Sequence, residues 1–495
     1  MRFKHLLLSQ VLLLSIASHA QHSHQLPKDA KKEFFYVTMD AKNAEDLKKV
    51  HQEDVKIIAI NKNEAAAYIS NHAAIDLHQY ILLHGPGYIQ HFSEEEAIKS
   101  IHRNSQKNSH VLDFSITEND LVNQYIDQVK AENIEETILA LQEFGTRFHL
   151  SSQAIPAIEF IRDKWQEIIN NSGRTDLKVE LYQHVNTPQP SVIFTIEGNE
   201  EGTEYVIIGG HADSITYMSY IDSDSYAPGA DDNASGIGTI TEVLRVLVEN
   251  GYKPKKTIQI MAFSAEEIGL VGSKEIAAKY KADNKDVKAY VQFDMTNYKG
   301  SAKDVYVSTD SYNSNDLNVY LVELMENYNT TGNHQFDYGY TICNYGCSDH
   351  ASWAQNGFAA AFPFEASFSE SNHNIHSVND IYSVSGSSTH AAKFAKLALE
   401  FLVESTKPSA TMGVSTSSLS KSKIAVTNKS LHFILDKNFN NNSIKIVDAT
   451  GRLVYEGKNK LNEGNLDLQK LNAGFYVIVF NSSEGKTFSS KFILK

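Results

Sequence analysis

At 495 residues the chain is too long for one ordinary domain, and 42% hydrophobic with 10% aromatic residues is enough for a real core, which excludes a disordered protein. Its net charge of −15 argues against nucleic acid or an anionic membrane surface as a partner. Residues 409 to 495 carry 12 Lys and Arg against 6 Asp and Glu, so the acidity lies in the body of the chain.

The first twenty residues hold Arg2 and Lys4, an apolar run from Leu6 to Ala17, and Ser18-His19-Ala20. This is the pattern of a signal peptide over residues 1–20, because the run falls short of the ~20 residues that a membrane span needs. It predicts export by the Sec route, no membrane span after signal removal, and an environment that permits a disulfide.

Residues 21–115 predict a separate small α+β unit, with strands at Glu33 to Val37 and Val55 to Ile60 and an amphipathic helix near Ala44 to His51. It holds no acid/base cluster; His22, His24, His72, His78, His84 and His91 are scattered through it and read as solvated or core histidines.

Residues 116–408 alternate strands with helices. Ile134 to Phe144 and Ala154 to Ile169 have helical periodicity, with Asn133 as an N-cap and Glu136 three residues on. Buried strands are expected at Tyr205 to Ile208, Ile258 to Phe263, Ala289 to Phe293, Val305 to Ser308 and Phe358 to Phe362. Helices are expected from Gly236 to Glu249, Gly269 to Tyr280, Asn315 to Tyr328 and His390 to Glu404. Such alternation predicts an α/β fold: a mostly parallel, doubly wound sheet with helices on both faces. A Ser/Thr/Lys-rich stretch makes residues 409–422 a linker, and residues 423–495 predict a small all-β sandwich.

The chemistry-bearing residues follow the strands. Gly209-Gly210-His211-Ala212-Asp213, Phe263-Ser264-Ala265-Glu266-Glu267 and Phe293-Asp294-Met295 each close an apolar run, and sites in open α/β sheets form at such strand ends. Asp232 lies in a run of small and turn-forming residues from Ala227 to Gly236, and His376 lies in Ser371 to Ser377. Imidazoles and carboxylates are zinc ligands, and a hydrolytic two-metal site needs two ligands per ion and one bridging carboxylate. His211, Asp232, Glu267, Asp294 and His376 form such a set. Glu266, pointing away from its neighbour, suits a general base, and Asp213 is close enough to fix the tautomer of His211.

Gly-Gly-His-Ala-Asp-Ser, Ala-Pro-Gly-Ala-Asp-Asp-Asn-Ala-Ser-Gly, Ala-Glu-Glu-Ile-Gly-Leu, Asp-Met-Thr-Asn-Tyr and Cys-Asn-Tyr-Gly-Cys-Ser-Asp-His closely resemble the secreted bacterial leucyl aminopeptidases, co-catalytic di-zinc exopeptidases. The resemblance covers about 116 to 405. It implies two zinc ions per chain, with His211 and Asp294 on one, Glu267 and His376 on the other, Asp232 bridging and Glu266 as base. It also implies a cis peptide between Asp232 and Asn233 and a disulfide between Cys343 and Cys347; for this pair, free thiols or a zinc pair stay open. The loop so closed is expected to aim Tyr345 at the substrate. Phe362 to Phe368 resembles the family's pocket wall, and Phe364 and Phe368 with Met295 and Ile375 are expected to line an apolar pocket for a leucine-like first side chain, narrowed by Phe362. In such an enzyme residues 21–115 are expected to be a pro-segment.

An amino-terminal specificity is favoured because a carboxypeptidase usually clamps its substrate with an arginine fork, and no Arg occurs between Arg245 and Arg452. Another zinc enzyme on the same fold, a carboxypeptidase or a glutaminyl cyclase, is the alternative; a non-enzymatic receptor ectodomain predicts missing ligands. Ile446 to Val454, Leu471 to Val477 and Lys491 to Lys495 are similar to the C-terminal sorting domains of type IX secretion, which would make that machinery a partner besides peptide or protein N-termini. A monomer is the expected form.

Overall fold

The computed structural model describes residues 32–80, 84–102, 112–343, 345–409, 423–427, 429–435, 442–448, 452–482 and 487–494. The expected signal peptide and the linker beyond Ser409 lie outside these residues.

Among the described residues, the N-terminal unit is a four-stranded antiparallel sheet with three helices. Strands β1 (Phe34–Asp40), β2 (Val55–Asn61), β3 (Glu64–Ser70) and β4 (Tyr88–His91) take the order β2-β3-β1-β4. Helices Ala41–Val50, Asn71–Tyr80 and Glu94–Ile101 connect and cover them. Asp40 and Ser93 start the first and third helices by accepting the N–H three residues on.

The central sheet contains β5 (Leu177–Tyr182), β6 (Ser191–Ile196), β7 (Glu201–His211), β8 (Lys256–Phe263) and β9 (Asp286–Gln292). Beyond these come β10 (Val305–Ser308), β11 (Tyr338–Thr341), β12 (Ala360–Ala361) and β13 (Pro363–Phe364). The order is β12-β9-β7-β8-β6-β5; the first four strands are parallel, and β6 and β5 add an antiparallel edge.

Period-two alternation decides why helices cover both faces. Val206 and Ile208 of β7 and Ile258, Ile260 and Ala262 of β8 enter the main core, with the helices Ala131–Gln142, Ala154–Ser172, Gly236–Glu249 and Ser388–Thr406. Ile207, Met261 and Phe263 point the other way, onto the helix Val271–Ala282 and Trp353. Ala289 and Val291 of β9 likewise enter the main core while Val287 and Tyr290 point the other way; a strand buried on both sides reads as a continuous apolar run, which is why β7, β8 and β9 are visible in the sequence.

Two local expectations are corrected. The helix expected to start after Asn133 begins at Ala131, and Asn133 is no cap. The buried carboxylate of Glu242, on the helix beside it, accepts the Lys130 N–H at 2.7 Å and the Asn133 side-chain amide at 2.9 Å, so tertiary packing sets the helix start. The strand expected over Phe358 to Phe362 pairs with β9 only at Ala360–Ala361. Pro363, which has no N–H to extend that ladder, passes the chain to β10.

The described residues between 423 and 494 form two antiparallel sheets. Strands β14 (Lys423–Thr427), β15 (Ser430–Ile434) and β18 (Glu463–Asp467) make one; β16 (Asn442–Asp448), β17 (Leu453–Asn459), β19 (Gly474–Asn481) and β20 (Thr487–Leu494) make the other. Leu431, Phe433, Ile444, Ile446, Ile478 and Phe480 fill the core. Among the described residues no helix is long and apolar enough to cross a membrane.

Candidate active site

The parallel neighbours β9, β7 and β8 end along one edge, and each hands an acid or a base to it. His211 is the last residue of β7, Glu266 and Glu267 follow β8, and Asp294 follows β9. Asp232 reaches the same edge from the loop before the helix Gly236–Glu249. Both oxygens of Asp380 fix that loop, accepting the Asp231 and Asp232 N–H groups at 3.0 Å each. Buried Arg147 fixes it from below, donating to the carbonyls of Ala212, Pro228 and Gly229. The Asp232–Asn233 peptide is cis. His376 arrives from the 371–377 loop.

Asp232 stands between two imidazoles. Its Oδ1 lies 2.9 Å from Nε2 of His211, and its Oδ2 lies 3.1 Å from Nε2 of His376. His211 Nε2 is also 3.4 Å from Asp294 Oδ1, and His376 Nε2 is 3.0 Å from Glu267 Oε2. The other nitrogen of His211 faces the backbone carbonyl of Asp213 at 3.2 Å, closer than that residue's carboxylate at 3.5 Å. The Asp213 carboxylate instead accepts the N–H groups of Glu266 and Glu267, at 3.0 and 3.2 Å.

This donor set fits divalent metal. His211, Asp232, Glu266, Glu267 and Asp294 are all buried, yet both carboxylate oxygens of Asp232, Glu266 and Glu267, Oδ1 of Asp294 and Nε2 of His211 make no hydrogen bond. Buried polar groups normally have partners, and buried charges are normally paired or bind metal. Ligand atoms of His211, Asp232 and Glu267 lie within 4.8 Å of one another. Burial and the neighbouring acids push Glu267 up to about 7, and burial lifts Glu266 well above the usual carboxyl range. Burial acts the same way on Asp232, but the two imidazoles hold it well below that range. Carboxylates so crowded are what a dication neutralises.

Residues 191–402 match the peptidase family M28, and residues 421–495 match a secretion system C-terminal sorting domain. Leucine aminopeptidase 1 of Coccidioides posadasii is 33% identical over 286 residues, 56% of this chain and 72% of the relative. Leucine aminopeptidase 1 of Ajellomyces capsulatus is 33% identical over 293 residues, 57% of this chain and 73% of the relative. The chain belongs to peptidase family M28. Its fold is shared with the LapA aminopeptidase of Legionella pneumophila, with a TM-score of 0.64 at 24% identity, covering 77% of this chain and 100% of that one.

In this M28 peptidase, Cys343 and Cys347 are joined in a disulfide. The residues expected to form an apolar pocket share one cluster: Met295, Tyr345, Phe362 and Phe364, with Phe368 and Ile375 packed against it. That cluster continues into Val37, Met39, Ile69 and Tyr88 of the N-terminal unit.

Three residues of the candidate site carry no clear signal in the sequence. Arg147 and Asp380 act through backbone groups, and neither sits in a distinctive motif. His84 reads in the sequence as one of the scattered histidines, yet it is buried in the candidate site with Nε2 3.3 Å from Asp294 Oδ1. Its one local signal is the Gly85-Pro86-Gly87 turn that follows it, flanked by apolar runs.

Proposed function

We propose that this M28 peptidase is an exported aminopeptidase that works with two zinc ions and releases hydrophobic, leucine-like N-terminal residues. It would be made with residues 1–20 as signal peptide, 21–115 as pro-segment, 116–408 as catalytic domain, 409–422 as linker and 423–495 as sorting domain for the type IX machinery. The observation that carries the reading is that Asp232 presents one oxygen to each of two histidines, each histidine facing a further carboxylate.

In this reading His211 and Asp294 would hold one ion and Glu267 and His376 the other, with the Asp232 carboxylate, which faces both histidines, shared between them. Bound there, zinc would supply Lewis acidity toward the scissile carbonyl and would lower the pKa of water. Glu266 takes a proton from the attacking water and returns it to the departing amine nitrogen. The Asp213 carboxylate orients the Glu266-Glu267 backbone, and its carbonyl turns Nε2 of His211 toward Asp232 and Asp294. Met295, Tyr345, Phe364, Phe368 and Ile375 take up the first side chain, with Phe362 narrowing the space.

Selectivity for the amino end is supported by the arginine beside the site. Arg147 spends its donors on backbone carbonyls, so it offers no fork for a terminal carboxylate, while the carboxylates around the metals suit a free α-amine. Rates on a panel of free-amine and amino-blocked aminoacyl substrates, before and after chelation and zinc restoration, test this. The expected result is activity on free-amine leucyl-type substrates alone, lost on chelation and restored by zinc. Cleavage of the blocked substrates, or indifference to chelation, would contradict it.

A further inference from the structure

The loop that carries His84 crosses the site just described. Nδ1 of His84 lies 2.7 Å from the carbonyl oxygen of Cys347, an acceptor only. The proton therefore sits on Nδ1, and Nε2 keeps its lone pair. Nε2 points at Asp294, and ligand atoms of His84, Asp232 and Asp294 lie within 4.8 Å of one another. A catalytic zinc keeps three protein ligands and leaves the fourth position for water or substrate, whereas a structural zinc has four. His84 brings a fourth protein ligand to the position that His211, Asp232 and Asp294 share.

The rest of the loop fills what a substrate would need. The His84 ring lies against Phe362 and Phe364, with ring centroids 5.6 and 5.2 Å away. The Tyr345 hydroxyl donates to the His84 carbonyl at 2.6 Å. A Cβ on Gly85 would lie 2.7 Å from the Cys347 carbonyl oxygen and 2.9 Å from Glu266 Oε1, and its φ is +62°, so only glycine lets the backbone lie on the candidate base. Beyond the loop, the Gln90 N–H donates to the Gly269 carbonyl, and the Lys274 ammonium bonds the Gln90 carbonyl and pairs with Glu96 at 2.6 Å.

We propose that His84 is a fourth protein ligand at the metal position formed by His211, Asp232 and Asp294, holding the chain latent until the pro-segment that carries it is released. This rests on the two-zinc reading of the site. A plug that only excludes substrate would leave the metal's own ligands unchanged, so the test reads the metal.

The full unprocessed chain is loaded with cobalt(II), whose visible absorption reports its ligands. Wild type is compared with His84→Ala and with His84→Gln, which keeps the bulk of the side chain but is a poor ligand. Both variants are expected to bind two ions with a changed spectrum, and a chelator is expected to remove one ion roughly tenfold faster or more than from wild type. Two bound ions with unchanged spectra and unchanged release in both variants overturn the latch alone. Failure of the wild-type chain to bind cobalt overturns the two-metal reading, and the latch with it.

Discussion

The carboxylate of Asp213 holds the backbone of Glu266: Oδ1 accepts the Glu266 N–H at 3.0 Å, while Oδ2 takes the N–H of Glu267. Adjacent residues in non-helical backbone send their side chains apart, so one acid can face the metals and its neighbour the water only if this stretch is fixed. In Asp213→Asn, one oxygen becomes an NH2 group facing an N–H donor, and one of the two bonds is lost. The expected effect is a kcat lower by roughly 10- to 100-fold with KM little changed. An unchanged kcat in this variant would show that Asp213 is not a positioning residue.

Gly236 opens the helix behind Asp232 and has no room for a methyl group. A Cβ there would lie 2.2 Å from the Phe293 carbonyl oxygen and 2.3 Å from Asn233 Oδ1. That oxygen already accepts the N–H groups of Gly236 at 2.8 Å and Met295 at 3.2 Å, tying the Asp232 loop to the end of β9. Gly236→Ala is expected to cost about 1–3 kcal/mol through overpacking and to lower activity by displacing Asn233. Calorimetry and turnover check this together; wild-type values of both would contradict it.

Away from the site, Glu400 is fully buried on the helix Ser388–Thr406. Oε1 accepts the Asn329 side-chain amide at 2.8 Å, and Oε2 makes no hydrogen bond. Burial pushes its carboxyl up to about 8 from the ordinary 4.5. Since the folded value lies above the unfolded one, the fold favours the neutral acid. This contribution is complete below about 4.5 and is lost as pH rises to about 8, at roughly 1.4 kcal/mol per pH unit. Denaturant titrations of Glu400→Gln are expected to show a flatter stability profile than wild type across that window. Parallel profiles would contradict it.

The sequence shows most clearly those residues whose placement is decided locally. His211, Glu267 and Asp294 follow apolar runs that are buried on both faces, so the strands and their ends stand out together. The helix Asn315–Tyr328 has the bounds its periodicity predicts. What stayed hidden depends on distant partners. Asn133 looks like a cap until Glu242, on another helix, takes the bonds. Asp380 acts on a backbone about 150 residues earlier in the chain. His84 lies in a turn whose composition says only that the chain bends, while its burial is set by Phe362, Phe364 and Cys347. The antiparallel edge of β5 and β6 was likewise not legible, because alternation shows that a strand is buried but not which way its neighbour runs.

The most direct test of the account is the turnover of Glu266→Gln at measured zinc content. Glu266 lies beside the proposed ligands without being one, so the variant is expected to keep two zinc ions per chain while kcat on a leucyl anilide falls roughly 10²- to 10⁴-fold. Near-normal hydrolysis by the zinc-loaded variant would contradict the account, because no proton acceptor would then be needed where Glu266 stands.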